Sequence, residues 1–370
     1  MTGAMYAAIS GLKSHMQKLN VIGNNVANVN TYGYKAARTT FKESLYTTVY
    51  SGSNGTTSVG GVNPSQIGYG CSVGTIDLDM STANYTPTGV DLDCMIDGDG
   101  FFMVGSKPNA IGTQLSETAA KDLSLTRVGN FKFDSQGYLV DGSGNVVYGF
   151  VTAADGTDGK PNATAGVVAA NNNNPSTSTQ LVPIRLPLAA KAPTDADAPK
   201  EGTAIYPGVN DAGMNVYDAG TDAKSTGKPI SVDSVSIDGA TGKVTAVNKE
   251  TDEIVVVGYI ALANVSNPAG VTHVQGPYYR AMEGAGDCVA ASIGGAVKGY
   301  LNNQAADDAG ATMVGSTGTT SLITGGLESS GTDLATEISE MITTQRGYQA
   351  NTRIITVTDS MLEELVNMKR

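Results

Sequence analysis

The chain has 370 residues, 46 of them glycine, no tryptophan, and a formal net charge of −12. Hydrophobic residues make up 40% of it, enough for a core, which excludes global disorder; the glycines follow no three-residue period, which excludes collagen. The acidic balance argues against the phosphate backbone of nucleic acid as the main partner.

The charge is unevenly placed. Residues 1–42 contain no Asp or Glu and five bases, Lys13, Lys18, Lys35, Arg38 and Lys42, whereas residues 331–370 hold six acids and four bases. The acidic surplus therefore lies between the two ends. From the N-terminus, Met5, Ile9, Leu12, Met16, Leu19 and Val26 fall at steps of four, three and seven, the spacing of a coiled-coil seam. This predicts a helix of about 25 residues, roughly 38 Å long, ending in the Asn-rich stretch before Gly33.

The other end mirrors it. Ser330 and Asp333 have a capping spacing, and Thr332 or Asp333 can cap the helix directly. Leu334, Ile338, Met341, Tyr348, Ile355, Met361, Leu365 and Met368 then form an apolar seam, with Gln345 and Thr352 as polar members. A helix of up to about 38 residues would be roughly 57 Å long. Polar seam residues set register in assemblies, so these helices are expected to pack against helices of neighbouring subunits rather than only close the fold.

Between the helices the period becomes two. Ile76, Leu78 and Met80 alternate with aspartates, as do Leu92, Cys94 and Ile96. Phe131, Phe133, Tyr138, Val140 and "NVVYGF", separated by "DSQG" and "DGSG", read as a β-meander. "SVSIDGATGKVTAV" reads as a hairpin around Asp238-Gly239, and Ile254 to Val265 as a buried strand. Residues 151–228 are polar, Pro- and Gly-punctuated and weakly periodic, as expected of surface loops or a small insertion.

Chemical motifs are lacking. "GCSVG" would make Ser72 a nucleophile, but a strand follows it, and the chain offers only His15 and His273 as partners. Asp91, Asp93, Asp97 and Asp99 fail the calcium-loop register, which would put Met95 and Ser106 at ligand positions. "STGKP" at 225–229 lacks the phosphate-loop glycine. Cys71, Cys94 and Cys288 have neither metal-ligand spacing nor a disulfide pattern and read as small hydrophobes. No catalytic, metal or cofactor residues are expected. No apolar stretch suits a membrane span, and no cleaved signal peptide is expected.

The segment "AISGLKSHMQKLNVIGNNVANVNTYGYKAARTTF" resembles the N-terminal signature of bacterial flagellar rod and hook proteins, and "ATEISEMITTQRGYQANTRIITVTDSMLEELVNMKR" their C-terminal one. "VDLDCMIDGDGFFMV", "LTRVGNFKFDSQGYLVDGSGNVVYGF" and "YIALANVSNPAGVTHVQGPYYRAMEGAG" resemble that family's β-domain motifs, in family order. The motif positions are Asn24, Asn25, Ala27, Asn28, Asn30, Thr31 and Gly33 at one end, and Gln345, Arg346, Tyr348, Gln349, Ala350 and Asn351 at the other. Three positions depart from the family pattern: Tyr34 stands for the usual Phe, Cys94 for a small Ala, and Gly347 for Ala.

The resemblance implies an α+β fold. The N- and C-terminal helices would pair as a coiled-coil layer lining a channel, with antiparallel β-rich middle domains nested between them. The expected divisions are the N-terminal helix at 1–32, a connecting segment at 33–74, a β domain at 75–150, the insertion at 151–228, the returning β domain at 229–329, and the C-terminal helix at 330–370. "GGVNPSQIGYG" and the length are most similar to hook members, implying a subunit that polymerises into a curved, flexible tube and transmits torque. Implied partners are further copies of the chain in a helical homopolymer, the distal rod protein, the hook cap during assembly, the hook-filament junction protein and the flagellar export apparatus. Neither nucleic acid nor membrane insertion is implied, and the implied location is the extracellular flagellum. A rigid distal rod subunit is the nearest alternative, and a secreted β-rich adhesin a remote one.

Overall fold

The computed structural model describes residues 2–55, 60–107, 122–152, 181–190, 202–206, 225–297 and 315–368, with strand pieces at 167–168, 177–178, 208–210, 213–215, 300–301 and 312–313. The chain forms two compact units, Met1–Met80 with Ser330–Arg370, and Ser81–Ser329. The first is thus built from both ends of the sequence.

In this terminal unit, α1 spans Thr2–Ala27 and α2 spans Leu334–Asn367. Asp333 caps α2: one carboxylate oxygen accepts the Ala335 amide at 3.0 Å, and the other the Thr336 hydroxyl at 2.7 Å. Those two bonds hold the Asp333 carboxyl below its usual pKa. The segment expected to be a connector contains strands β1 (Ala37–Glu43), β2 (Tyr46–Tyr50), β3 (Ser65–Gly68) and β4 (Cys71–Leu78). Strand β1 pairs antiparallel with β4, and β2 with β3. Bonds from Ser44 N–H to Gly70 O and from Tyr69 N–H to Leu45 O join the pairs into one ribbon. Ile76 and its neighbours therefore belong to this ribbon rather than to the β-rich middle. In a two-stranded ribbon one face stays open, and Ile76 is exposed.

The second unit is organised by one twelve-residue strand, Ile254–Val265. It pairs antiparallel with Lys243–Asn248, Val146–Val151, Phe101–Gly105 and Cys288–Ser292 within a 13-stranded sheet. Strands flanked on both sides and covered on both faces read as unbroken apolar runs, which is why this segment stood out. Its Ile260 and Leu262 join Phe102, Val104, Val147 and Ile184 in the core. The predicted hairpin occurs as Val232–Ile237 with Lys243–Asn248.

Three turns of this unit use the same device. The Asp134 carboxylate accepts the amides of Gln136 and Tyr138 at 2.9 and 2.8 Å. Asp141 accepts those of Ser143 and Asn145, both at 2.9 Å, and Asp238 that of Ala240 at 3.2 Å. Each aspartate satisfies turn amides that have no strand partner.

Most of 151–228 lies outside the described residues. One stretch of it, 181–190, departs from the expectation of surface loops. Leu181, Val182, Ile184, Leu186 and Leu188 are buried, and Val182–Pro183 pairs with Val146–Val151. The even-numbered apolar residues from 182 to 188 carry a strand period that Pro183, Pro187 and the polar flanks obscure.

Gly149 marks the tightest approach between two central strands. A Cβ there would lie 2.2 Å from the Tyr259 carbonyl oxygen and 2.8 Å from the Ile184 side chain. Gly149→Ala is expected to destabilise the β-rich unit by about 1–3 kcal/mol through overpacking, read as a lower denaturant midpoint with an unchanged slope.

Candidate assembly surface

The "NNVAN" run closes the C-terminal end of α1. Asn28 returns its amide to the Asn24 carbonyl at 2.9 Å, and the Thr31 hydroxyl donates to Asn28 Oδ1 at 3.2 Å. Gly33 then turns the chain at φ +66°, a left-handed conformation that favours glycine. These bonds release Asn25 from local capping and leave its side chain pointing into the unit.

Asn25 is 1% exposed and uses both ends of its amide. Nδ2 donates to the Ala37 carbonyl at 2.9 Å and to Glu337 Oε1 at 2.8 Å; Oδ1 accepts from the Ala37 amide and the Tyr34 hydroxyl, both at 3.0 Å. One side chain thus fastens α1 to the first residue of β1 and to the first turn of α2. Tyr34 completes the node by accepting Asn24 Nδ2 at 3.0 Å; a Phe there could make neither bond. Burial foremost, then the Glu337 charge, raises the Tyr34 pKa. Burial likewise raises that of Glu337, opposed by the Asn25 bond and reinforced by Glu340.

The two helices run antiparallel. Beyond the Asn25–Glu337 bond, Lys18 pairs with Glu340 at 2.9 Å, a partly exposed ion pair worth at most about 1 kcal/mol. Further along, His15 lies beside Gly347, and Asn351 beside Gly11. Between 334 and 358 every position of α2 that is not exposed lies on one stripe: Glu337, Met341, Thr344, Gly347 or Tyr348, Asn351, Ile355 and Thr358. On α1 the fully buried positions include Ala8, Gly11, Ile22 and Asn25. These residues are mostly small or polar. A second small face of α1 meets the ribbon, where Ser14 donates to the Cys71 carbonyl at 3.3 Å and Ser10 accepts the Cys71 amide at 3.3 Å.

The apolar seams expected from the sequence are distributed differently. On α1, Met5, Ile9, Leu12, Leu19 and Val26 lie one position beyond the buried set and are half-buried, and Met16 is 47% exposed. On α2, Met341, Tyr348 and Ile355 are half-buried on the α1-facing stripe. Leu334, Ile338, Met361, Leu365 and Met368 are exposed, as are Gln345 and Thr352. Of the motif positions, Asn25 and Asn351 meet the opposite helix, whereas Asn30, Gln345, Arg346, Gln349 and Ala350 are exposed. Ile342, Ile354 and Val357 are exposed apolar residues outside the expected set; they are off the seven-residue repeat, so periodicity passes over them.

Ser72 sits within β4 opposite Lys42 rather than on a strand-to-helix turn, and Asp93 accepts the Thr88 hydroxyl. Among the described residues no helix is long and apolar enough to cross a membrane. The terminal unit is a helical pairing module whose larger apolar residues remain in part at the surface.

The comparisons with known proteins agree with that class. Residues 5–35 match the family described as flagella basal body rod protein, and residues 323–368 the one described as flagellar basal body rod FlgEFG protein C-terminal. The chain is 33% identical over 370 residues to the flagellar basal-body rod protein FlgG of Bacillus subtilis, covering both chains completely. It is 26% identical to the flagellar hook protein FlgE of Borreliella burgdorferi over all of both chains, and 27% identical to FlgE of Rhizobium meliloti over 100% of this chain and 99% of that one. The protein belongs to the flagellar rod and hook family, a family of structural subunits. The two matched segments contain the two sides of the Asn25–Glu337 bond.

Replacing Asn25 with Ala removes four hydrogen bonds and strips Ala37 and Glu337 of their partners. At roughly 1–3 kcal/mol per buried orphan, the terminal unit should lose about 3 kcal/mol, seen as an earlier loss of helical circular dichroism in urea. A second test concerns Gly347. Alanine gains up to about 1 kcal/mol of helix propensity, but its Cβ would lie 2.9 Å from the His15 ring. Gly347→Ala should therefore fail to stabilise the wild type yet stabilise the His15→Ala variant, giving a double-mutant coupling above about 0.5 kcal/mol.

Proposed function

We propose that the chain is a subunit of the flagellar hook, polymerising through its terminal unit into a tube that carries torque from the motor to the filament. One observation carries this reading. The helix pair buries small and polar side chains between its members and leaves Ile338, Ile342, Ile354, Val357 and Met361 exposed on α2. Exposed apolar residues recurring along one helix offer an interaction surface, and copies of the same chain supply the matching helices. In that layer the helices pair as coiled coils, and the predicted seam Met5, Ile9, Leu12, Met16, Leu19 and Val26, with Leu334, Ile338 and Met361, contributes to contacts between copies. Heterologous contacts that do not close into a ring generate an open helical polymer.

The neighbouring components are the distal rod, the hook cap, the hook-filament junction and the export apparatus, and the site of action is the extracellular flagellum. A rod subunit is the second reading, favoured by the end-to-end match to a protein named as a rod component. Electron microscopy of polymers from the purified chain separates the two: curved tubes are expected for a hook, straight ones for a rod. Deleting residues 1–30 should abolish polymer formation while leaving the β-sheet circular dichroism of the second unit intact. Tubes formed by the truncated chain would refute assembly through the terminal unit.

A further inference from the structure

Of the chain's two histidines, His15 lies in the terminal unit and His273 in the second. His15 stands ten residues before Asn25, roughly 15 Å along α1, so it touches α2 at a point well removed from the amide node. Its ring fills the gap that Gly347 leaves: a Cβ at 347 would lie 2.9 Å from both Cε1 and Nε2. Strand β1 closes another side, with the Phe41 ring edge-on at 5.7 Å between centroids and 73° between planes. Nδ1 is buried, and among the described residues no group hydrogen-bonds to it.

This site accepts a neutral imidazole and resists an imidazolium. The neutral ring can carry its proton on Nε2 and leave only a lone pair at Nδ1. The charged ring must place an N–H at Nδ1, and a buried donor without an acceptor is costly. The surrounding charges give no relief. On α1, Lys18 is close enough to oppose a second positive charge, and Lys13 is exposed. On α2, Glu340 is engaged by Lys18 at 2.9 Å, Arg346 adjoins Gly347 as a further base, and Asn351 is uncharged. Strand β1 brings Lys42 and Glu43 to the pocket beside the ring, and β4 brings Cys71. Glu43 already accepts the Tyr46 hydroxyl. Burial foremost, then the Lys18 charge, holds the His15 pKa below its ordinary 6.5.

We propose that protonation of His15 is an acid-operated release for the α1–α2 pair, which holds at neutral pH and loosens in mild acid. The switch belongs to the single chain and does not depend on assembly of copies. A group whose pKa falls on folding adds stability that is full above its unfolded value and is lost as the pH drops through the folded one. The window therefore opens below about 6.5. Glu337 acts in the opposite sense, because burial raises its pKa and acid relieves the buried charge. The share of His15 is thus the difference between wild type and a variant without it.

Full-length protein is unfolded in urea at about pH 7.5 and about pH 5.5, with helical circular dichroism reporting on the terminal unit. Between these values the folded-to-unfolded ratio of wild type should fall about threefold to tenfold further than that of His15→Gln. Tenfold is roughly the ceiling set by an unfolded pKa near 6.5 with no protonation in the folded state. His273→Gln should respond as wild type does. Carbon-13-labelled histidine gives a readout that needs no change at position 15. The ring signal that survives in His273→Gln belongs to His15, and it should titrate below about 6.5 in folded protein. Equal pH responses of wild type and His15→Gln overturn the switch. So does a response lost with His273 instead, or a His15 ring that titrates at or above about 6.5.

Discussion

The terminal unit depends on one buried primary amide. Asn25 has two donors and two acceptor lone pairs, and the structure engages all four. Aspartate could accept but not donate, and leucine would fill the space but orphan the first amide and carbonyl of β1. In a low-dielectric setting a satisfied polar node fixes geometry in a way that apolar contact does not, because every displaced alternative leaves a group unpaired. Helix, ribbon and second helix therefore meet at one defined level, and the antiparallel register follows from that point.

The same requirement shapes what surrounds the node. Close helix approach needs small side chains, and the α1–α2 contact has them at Ala8, Gly11, Thr344 and Gly347. Large apolar residues placed there would force the helices apart and stretch the Asn25–Glu337 bond. They occupy neighbouring stripes instead, so the residues that set the pairing within the chain and the apolar residues left at its surface lie on different faces of the same two helices.

Element type and extent were well marked in the sequence. Both helices, the Asp333 cap, the meander, the Asp238 turn and the long strand follow from local rules of period, capping and turn chemistry. What periodicity could not reveal was which stripe would be buried. On α1 the apolar stripe lies one residue from the buried one, and hydropathy marks the former because the face buried within the chain is lined with Ala, Gly, Ser and Asn. Of the ribbon at 37–78 only the end of β4 was legible, through the alternation of Ile76 and Leu78 with aspartates; its other strands, largely exposed, show little alternation. Residues 181–190 were obscured by two prolines. The special role of Asn25 leaves no trace in spacing, because its partners lie at Ala37 and, 312 residues away, at Glu337.

That separation has a kinetic side. A contact across 312 residues cannot form until nearly the whole chain is present, so the terminal unit has no way to fold from its N-terminal half alone. The β-rich unit shortens the path. Tyr85–Pro87 pairs with Gly326–Glu328, and the Ser329 amide bonds the Asn84 carbonyl at 2.9 Å. Once that clasp has formed, the loop left to close between Asn25 and Glu337 shrinks to about 65 residues, lowering the closure entropy by about 1.4 kcal/mol. Folding of the middle thus eases the pairing of the ends: the terminal helices close a shorter loop once the body of the subunit has been made.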